Sequence, residues 1–332
     1  MSLSPTSSES PREIQGLSDF RPGDSDTPFA LVLTMFRVAY LAKREMIQEV
    51  EQHQGLSPTA LRLLMSVRLA DGGPLNLGVL AGELAMTKAN VSRELQRLEE
   101  SGMVVRSADP DDRRRIRART APHVDELLRN AWIQGNATTE ATFAPLSRPE
   151  CQRLRELTEA IEHALGDQQY PDLAEGSINE VQRRLMPTVN LEVGRASLAL
   201  ARASLGLRKD LERCTEPSGL TFVAFHALAC VILIDGGNLE LDALVTQLGV
   251  NRGNVSWLLQ GLDSKGLIIR EPSPDDRRRI RVRATPAGVA LATVHIPSLR
   301  SECAAALAPL SAADRSELAG LLDRVEAHVG ER

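Results

Sequence analysis

Aromatic residues are scarce in this chain: Phe, Tyr and Trp make up 3% of 332 positions. A core built from it is expected to rest on Leu, Val, Ile and Ala. Lysine is scarcer still. Lys43, Lys88, Lys209 and Lys265 are the only four, so arginine carries the positive charge. The four cysteines, at 151, 214, 230 and 303, form no CxxC pair, and no His pair stands at metal-ligand spacing. That argues against a zinc site and against a disulfide framework. No apolar run reaches 18 residues, so no membrane span is expected. The N-terminus lacks the basic-then-apolar pattern of a secretory signal, and a cytoplasmic protein is expected. There is no P-loop, no Gly-rich nucleotide fingerprint, no metal cluster and no nucleophile motif. An enzyme is therefore not expected, nor a cofactor. The net charge of −5 gives no global sign of nucleic-acid binding. Where the positive charge sits is the informative question, since a local basic patch attracts phosphate even on an acidic protein.

What the chain does have is an internal repeat. Shifted by 164 residues it lies on itself without a gap: Asp71-Gly72-Gly73 on Asp235-Gly236-Gly237, Asn90-Val91-Ser92 on Asn254-Val255-Ser256, and Asp111 to Arg117 on Asp275 to Arg281. From residue 71 to 128, 26 of 58 positions are identical, too many for chance. A period this long means two tandem domains, because solenoid repeats run roughly 20–50 residues. The expected organisation is a disordered segment over 1–27, a first copy over 28–168, a linker over 169–177 and a second copy over 178–332.

Within the first copy, apolar residues from Phe29 to about Gln52 recur at helical spacing, and Gly55 ends the helix. Ser57-Pro58 opens the next, with Ser as N-cap and Pro at the first helical position. A short helix follows from Leu77 to Leu84. Thr87 caps another that runs to about Glu100, with Val91, Leu95 and Leu98 on its apolar face and Lys88, Asn90, Ser92, Arg93 and Arg97 on the other. Two strand-like runs, Met103–Arg106 and Ile116–Arg119, flank a charged loop and read as a hairpin. Helices are expected over about 122–143 and 147–165, the last opened by Ser147 and Glu150 as a capping box. Helix, tight turn, polar-faced helix and hairpin form a winged helix-turn-helix. The fold class expected is mainly α with small β-wings: two winged helix-turn-helix domains.

A recognition helix needs small or flexible polar residues near its N-terminus, to enter a groove about 12 Å wide and reach base edges. Thr87, Lys88, Asn90, Ser92, Arg93 and Arg97 meet that need in the first copy. The matching positions in the second are Asn251, Arg252, Asn254, Ser256, Trp257 and Gly261. A wing needs cations at its tip for phosphates or a narrow minor groove. Arg113, Arg114 and Arg115 supply them in one copy, and Arg277, Arg278 and Arg279 in the other. The neighbouring aspartates read as ion-pair partners that hold the turn and aim some of the arginines. A run of charge is by itself most often a solvated surface. Here a basic helix and a basic hairpin recur together, in order, twice.

These residues resemble the MarR family of bacterial transcription regulators, whose wing carries D-P-x-D-R-R followed by L-T-P-x-G. Asp109-Pro110-Asp111-Asp112-Arg113-Arg114 matches the first part. Ser273-Pro274-Asp275-Asp276-Arg277-Arg278 loses only the first Asp. The second part survives as Ala284-Thr285-Pro286-Ala287-Gly288 and has decayed to Thr120-Ala121-Pro122-His123-Val124. The resemblance implies a double-stranded DNA operator as partner and a homodimer fused into one chain, its two winged helix-turn-helix domains joined through a helical dimer-like interface and the whole monomeric near 36 kDa. A linker of about ten residues reaches up to roughly 33 Å. It also implies a repressor released by a small aromatic or phenolic effector, lodged between the dimer helices and the winged domain. That zone would involve Arg37, Tyr40, His53 and Trp132 in the first copy and Arg202, His226 and Cys230 in the second. For Tyr40 and Trp132 a place in the core is the competing reading. No cysteine recurs under the shift, so inert buried thiols are expected. A degenerate winged-helix module that binds another regulator in place of DNA is the alternative function.

Overall fold

The structure is a computed structural model that describes residues 27–70, 73–83, 87–108, 116–166, 192–234, 241–250, 252–272 and 280–330. The expected disordered segment and linker, and both wing tips, lie outside the described residues apart from Thr27. In the first copy α1 spans Pro28–Gln54, α2 Pro58–Ala70, β1 Pro74–Leu75, α3 Leu77–Glu83, α4 Lys88–Glu100, β2 Val104–Ala108, β3 Ile116–Thr120, α5 Val124–Thr142 and α6 Arg148–Ala164. In the second, α7 spans Glu192–Thr215, α8 Phe222–Ile234, α9 Leu241–Leu248, α10 Arg252–Ser264, β4 Ile268–Pro272, β5 Ile280–Ala284, α11 Pro286–Ala306 and α12 Ala312–Gly330. The fold is mainly α with small β-wings, as the sequence pattern leads one to expect.

The chain divides into two compact units that do not coincide with its two copies. One holds Ala42–Ala144 and the described part of Asp167–Leu198. It is the winged helix of the first copy. Ser57 Oγ accepts from Ala60 N at 3.1 Å and starts α2. Gly55 adopts φ 63° and ends α1, a conformation that costs glycine nothing. Leu63, Leu64, Val67, Leu80, Val91, Leu95, Val104 and Ala118 form one buried cluster beneath α2, α3, α4 and the sheet. β2 pairs antiparallel with β3, Val104 opposite Thr120 and Ala108 opposite Ile116. A third strand that the sequence pattern does not reveal, β1, pairs with the other edge of β3.

The other unit holds the start of α1, through Leu41, then α6, and the chain from Ala199 to the end. Both copies therefore contribute to one core. α8 is apolar on nearly every side and is buried almost throughout, as an all-round hydrophobic helix must be. All five described phenylalanines in the protein are buried, Phe29, Phe36, Phe143, Phe222 and Phe225. The few aromatics thus add bulk to a core otherwise made of aliphatic side chains. No single helix among the described residues is long and apolar enough to cross a membrane.

Candidate nucleic-acid interface

The first copy presents α4 as a two-faced helix. Thr87 lies in the extended region, and its Oγ1 accepts from Asn90 N at 3.2 Å, fixing the first turn. Val91, Leu95 and Leu98 are buried. Thr87, Lys88, Asn90, Arg93 and Arg97 are exposed and Ser92 is half-buried. Burial of the apolar stripe sets which side faces out, so the expected cations all stand on the solvent side. Arg93 Nη1 donates to Asn90 Oδ1 at 3.2 Å, and Arg97 Nη1 to Glu94 Oε2 at 3.2 Å. Such i,i+3 contacts between exposed groups are weak, and a phosphate or a base edge can replace them.

Other arginines of this unit hold the framework. Arg106 Nε donates to Glu99 Oε2 at 2.7 Å, joining β2 to the end of α4. The Arg106 guanidinium holds the Glu99 carboxyl below its usual range. Arg68 Nε donates to Asp125 Oδ1 at 2.5 Å, joining α2 to α5. The first bond ties α4 to the strand that follows it, and the second ties α2 to α5. β2 and β3 lead to the loop that holds Arg113, Arg114 and Arg115, which lies outside the described residues.

In the second copy α10 buries Val255, Leu258, Leu259 and Leu262 and exposes Arg252, Asn254, Ser256 and Trp257. Asn251, Arg277, Arg278 and Arg279 lie outside the described residues. Trp257 is 70% exposed, so this large ring does not turn into the core. The start of α11 shows why the second wing motif is written as it is. Thr285 Oγ1 accepts from Gly288 N at 3.1 Å and donates to Gly266 O at 2.7 Å. In the first copy Ala121 stands in the place of Thr285 and offers no cap. The sequence pattern starts that helix near 122, but α5 begins at Val124, after an N-cap residue, His123, that makes no side-chain cap bond.

Several of the residues expected around an effector hold partners within the protein. Arg37, 2% exposed, donates to Glu326 Oε1 at 2.6 Å and to Thr34 Oγ1 at 2.8 Å. Arg202 donates to Glu162 Oε2 at 2.9 Å. His53 is exposed, and its Nδ1 lies 3.1 Å from a Glu49 carboxylate oxygen. Tyr40 and Trp132 are half-buried, and the Tyr40 hydroxyl donates to Val250 O at 3.3 Å. His226 is buried beside Phe222. Burial, then Arg37 and Arg208, push its pKa down to about 3. Arg208, which sequence patterning does not single out, lies over the Phe36 ring at 5.2 Å from the centroid. It also lines an open groove of about 750 Å³ with Leu205, Lys209, Glu212, Arg213, Glu216, Gly219, Leu220 and Thr221. None of the six residues Arg37, Tyr40, His53, Trp132, Arg202 and His226 lines this groove. Cys151, Cys230 and Cys303 are buried and Cys214 is half-buried. Burial pushes the Cys230 thiol up to about 12 and raises that of Cys214, which leaves both poor nucleophiles at neutral pH.

A family model described as MarR family matches residues 54–115 and again 218–279, two segments offset by the repeat length. A protein named as a putative transcriptional regulatory protein for the hcr operon of Thauera aromatica is 37% identical over 134 residues, covering 40% of this chain and 79% of that protein. The HTH-type transcriptional regulator YcgE of Bacillus subtilis is 30% identical over 116 residues, covering 34% of this chain and 64% of its own. Among solved structures, the transcriptional repressor CouR bound to a 23-mer DNA duplex is 32% identical, with a TM-score of 0.28, covering 31% of this chain and 71% of that one.

Proposed function

From the premise that this chain belongs to the MarR family and carries its winged helix-turn-helix twice, we propose that it is a transcription regulator that binds double-stranded DNA as a single-chain pseudo-dimer. The observation that carries this reading is the recurrence of one arrangement: a helix anchored by a buried apolar stripe, with its polar face exposed, followed by a hairpin leading to an arginine-rich tip. Lys88, Asn90, Arg93 and Arg97 are assigned to base edges and phosphates in the first copy, and Arg252, Asn254, Ser256 and Trp257 in the second. Arg113 to Arg115 and Arg277 to Arg279 are assigned to phosphate or minor-groove contact. Half-sites would lie about one helical turn apart, roughly 34–36 Å.

Two ion pairs support the pseudo-dimer. Arg37 of the first copy meets Glu326 of the second, and Arg202 of the second meets Glu162 of the first. Glu326 and Glu162 are counterparts under the 164-residue shift. The arginines are not counterparts, since Arg37 matches Ala201 and Arg202 matches Val38, so the two pairs support a reciprocal contact between the copies and only an approximate two-fold relation. Repression relieved by a small molecule is part of the same proposal. In the open groove, Arg208, Lys209 and Arg213 outnumber Glu212 and Glu216, which suits an anionic effector with an apolar body, such as an aromatic or phenolic acid.

The test is binding to the DNA upstream of the protein's own gene across a salt series. Replacing Arg113 and Arg114 by Ala is expected to weaken binding to all sequences. It should also make log K less steep against log salt, by about one unit for each phosphate that is no longer neutralised. An unchanged slope would mean that these arginines are a solvated turn. Absence of DNA binding, with capture of another regulator in its place, would favour a protein-interaction module, a role that the exposed Trp257 also suits.

A further inference from the structure

The helices α6 and α12 hold matching places in the two copies and pack on each other. Their buried stripes are of one kind: Leu154, Leu157 and Ile161 on α6, Leu318, Leu321 and Val325 on α12. Stripes so similar do not distinguish a copy from its like. The charges beside them do. Arg153 Nε donates to Glu317 Oε2 at 2.9 Å, and Glu317 is the counterpart of Arg153 at the repeat distance of 164 residues. A residue that meets its own counterpart lies at the local two-fold axis, where in a symmetric dimer it would meet itself. Arg153 Nη2 also donates to Asp314. Glu150, the counterpart of Asp314, accepts instead from Arg324 Nη1 at 2.5 Å. Arg324 has Ala160 as its counterpart, so that bond has no mirror image.

Resting on the pseudo-dimer reading, we infer that Arg153 and Glu317 are the position at which the two copies recognise each other as unlike. Two first copies paired through this surface would set Arg153 against Arg153. Two second copies would bring both Glu317 and both Asp314 side chains to the axis. Only the mixed pairing sets opposite charges against each other at this position. The surface of α6 therefore fits an acidic helix such as α12 and rejects its own like, and α12 rejects its like more strongly. These ion pairs are partly exposed, so each contributes little by itself. Discrimination comes from the difference between opposite and like charge at one place, which is how specificity is set against a wrong partner.

A charge cycle in the full-length protein tests this. R153E builds, within the chain, the Glu–Glu axis of a second-copy pair. E317R builds the Arg–Arg axis of a first-copy pair. R153E/E317R restores opposite charges in reverse order. Each single variant is expected to melt about 2–4 °C lower than the parent, R153E most, since Asp314 also faces the new carboxylate. The double variant should melt above R153E, and all gaps should shrink in about 1 M salt. Singles that melt like the parent, or a double no higher than R153E, would overturn the inference. Sedimentation of the parent separates this from the underlying reading. A 36 kDa species with a flat cycle removes only the recognition pair. A stable species of twice that mass with an intact cycle removes only the intramolecular pairing.

Discussion

His226 shows how far one residue can depart from the behaviour its type suggests. An exposed histidine titrates near 6.5, but this ring is buried beside Phe222, with Arg37 and Arg208 nearby, and its pKa falls to about 3. The unfolded chain therefore binds the proton more readily throughout that interval. A depressed histidine pKa means that its contribution to stability is complete above about pH 6.5 and is lost as pH falls toward 3. The Glu150 carboxyl, held down to about 2 by Arg324 and Ser147, loses its contribution only as pH falls from 4.5 toward that value. Between pH 6.5 and 5 the histidine is thus separated from it. The urea midpoint is expected to drop across that range, with a slope of at most about 1.4 kcal/mol per pH unit for one proton. His226→Gln should flatten the drop while lowering the midpoint at pH 7. A variant that keeps the parental slope would assign the titration to another group.

Two glycines of the second copy make opposite predictions at the level of the element. Gly261 lies inside α10, and a methyl group added there meets nothing within 4 Å. Gly261→Ala should raise stability by up to about 1 kcal/mol through helix propensity alone. Gly288 lies in the first turn of α11, where an added Cβ would come 2.2 Å from Leu267 O. Gly288→Ala should cost about 1–3 kcal/mol, because backbone must move. Thermal melts of the two variants decide both, and a stabilised Gly288→Ala would mean that the turn is looser than its close approach implies. The same elements show what a sequence discloses. α4 was legible because an apolar stripe of period 3.6 and a cap residue, Thr87, are local signals, and α10 because the repeat carries that pattern over to it. β1 was not, because two residues carry no alternation and Pro74–Leu75 is a strand only through pairing with β3. The position of Arg208 was hidden for a related reason: the Phe36 ring beneath it comes from the other copy. The partners of Arg37 and Arg202 were hidden too, since the glutamates that hold them are far away in sequence.

At the scale of the whole molecule, the proposed pseudo-dimer would be free to read DNA in a way that a homodimer is not. A homodimer reads both half-sites with identical helices, so its operator is close to palindromic. Two copies in one chain are released from that constraint, and here the two helices differ where they would touch DNA. Arg93 is matched by Trp257 and Arg97 by Gly261. Arg93 is a long exposed donor whose hydrogen bond to Asn90 is easily exchanged for a guanine edge, worth about 1–3 kcal/mol of discrimination. Trp257 carries no such donor fork, but at 70% exposure its ring is placed for an apolar partner, a thymine methyl or a sugar. The expected operator is therefore asymmetric, with the first copy's half-site read more strictly. Arg93→Ala should relax base preference in one half-site and leave the other intact. Trp257→Ala should lower affinity through the other half-site with little change in which bases are preferred. A base-by-base substitution scan of a bound operator, repeated with each variant, measures all of this at once. Equal penalties at mirror-related positions in the parent protein would show that the divergence of the two helices plays no part in recognition.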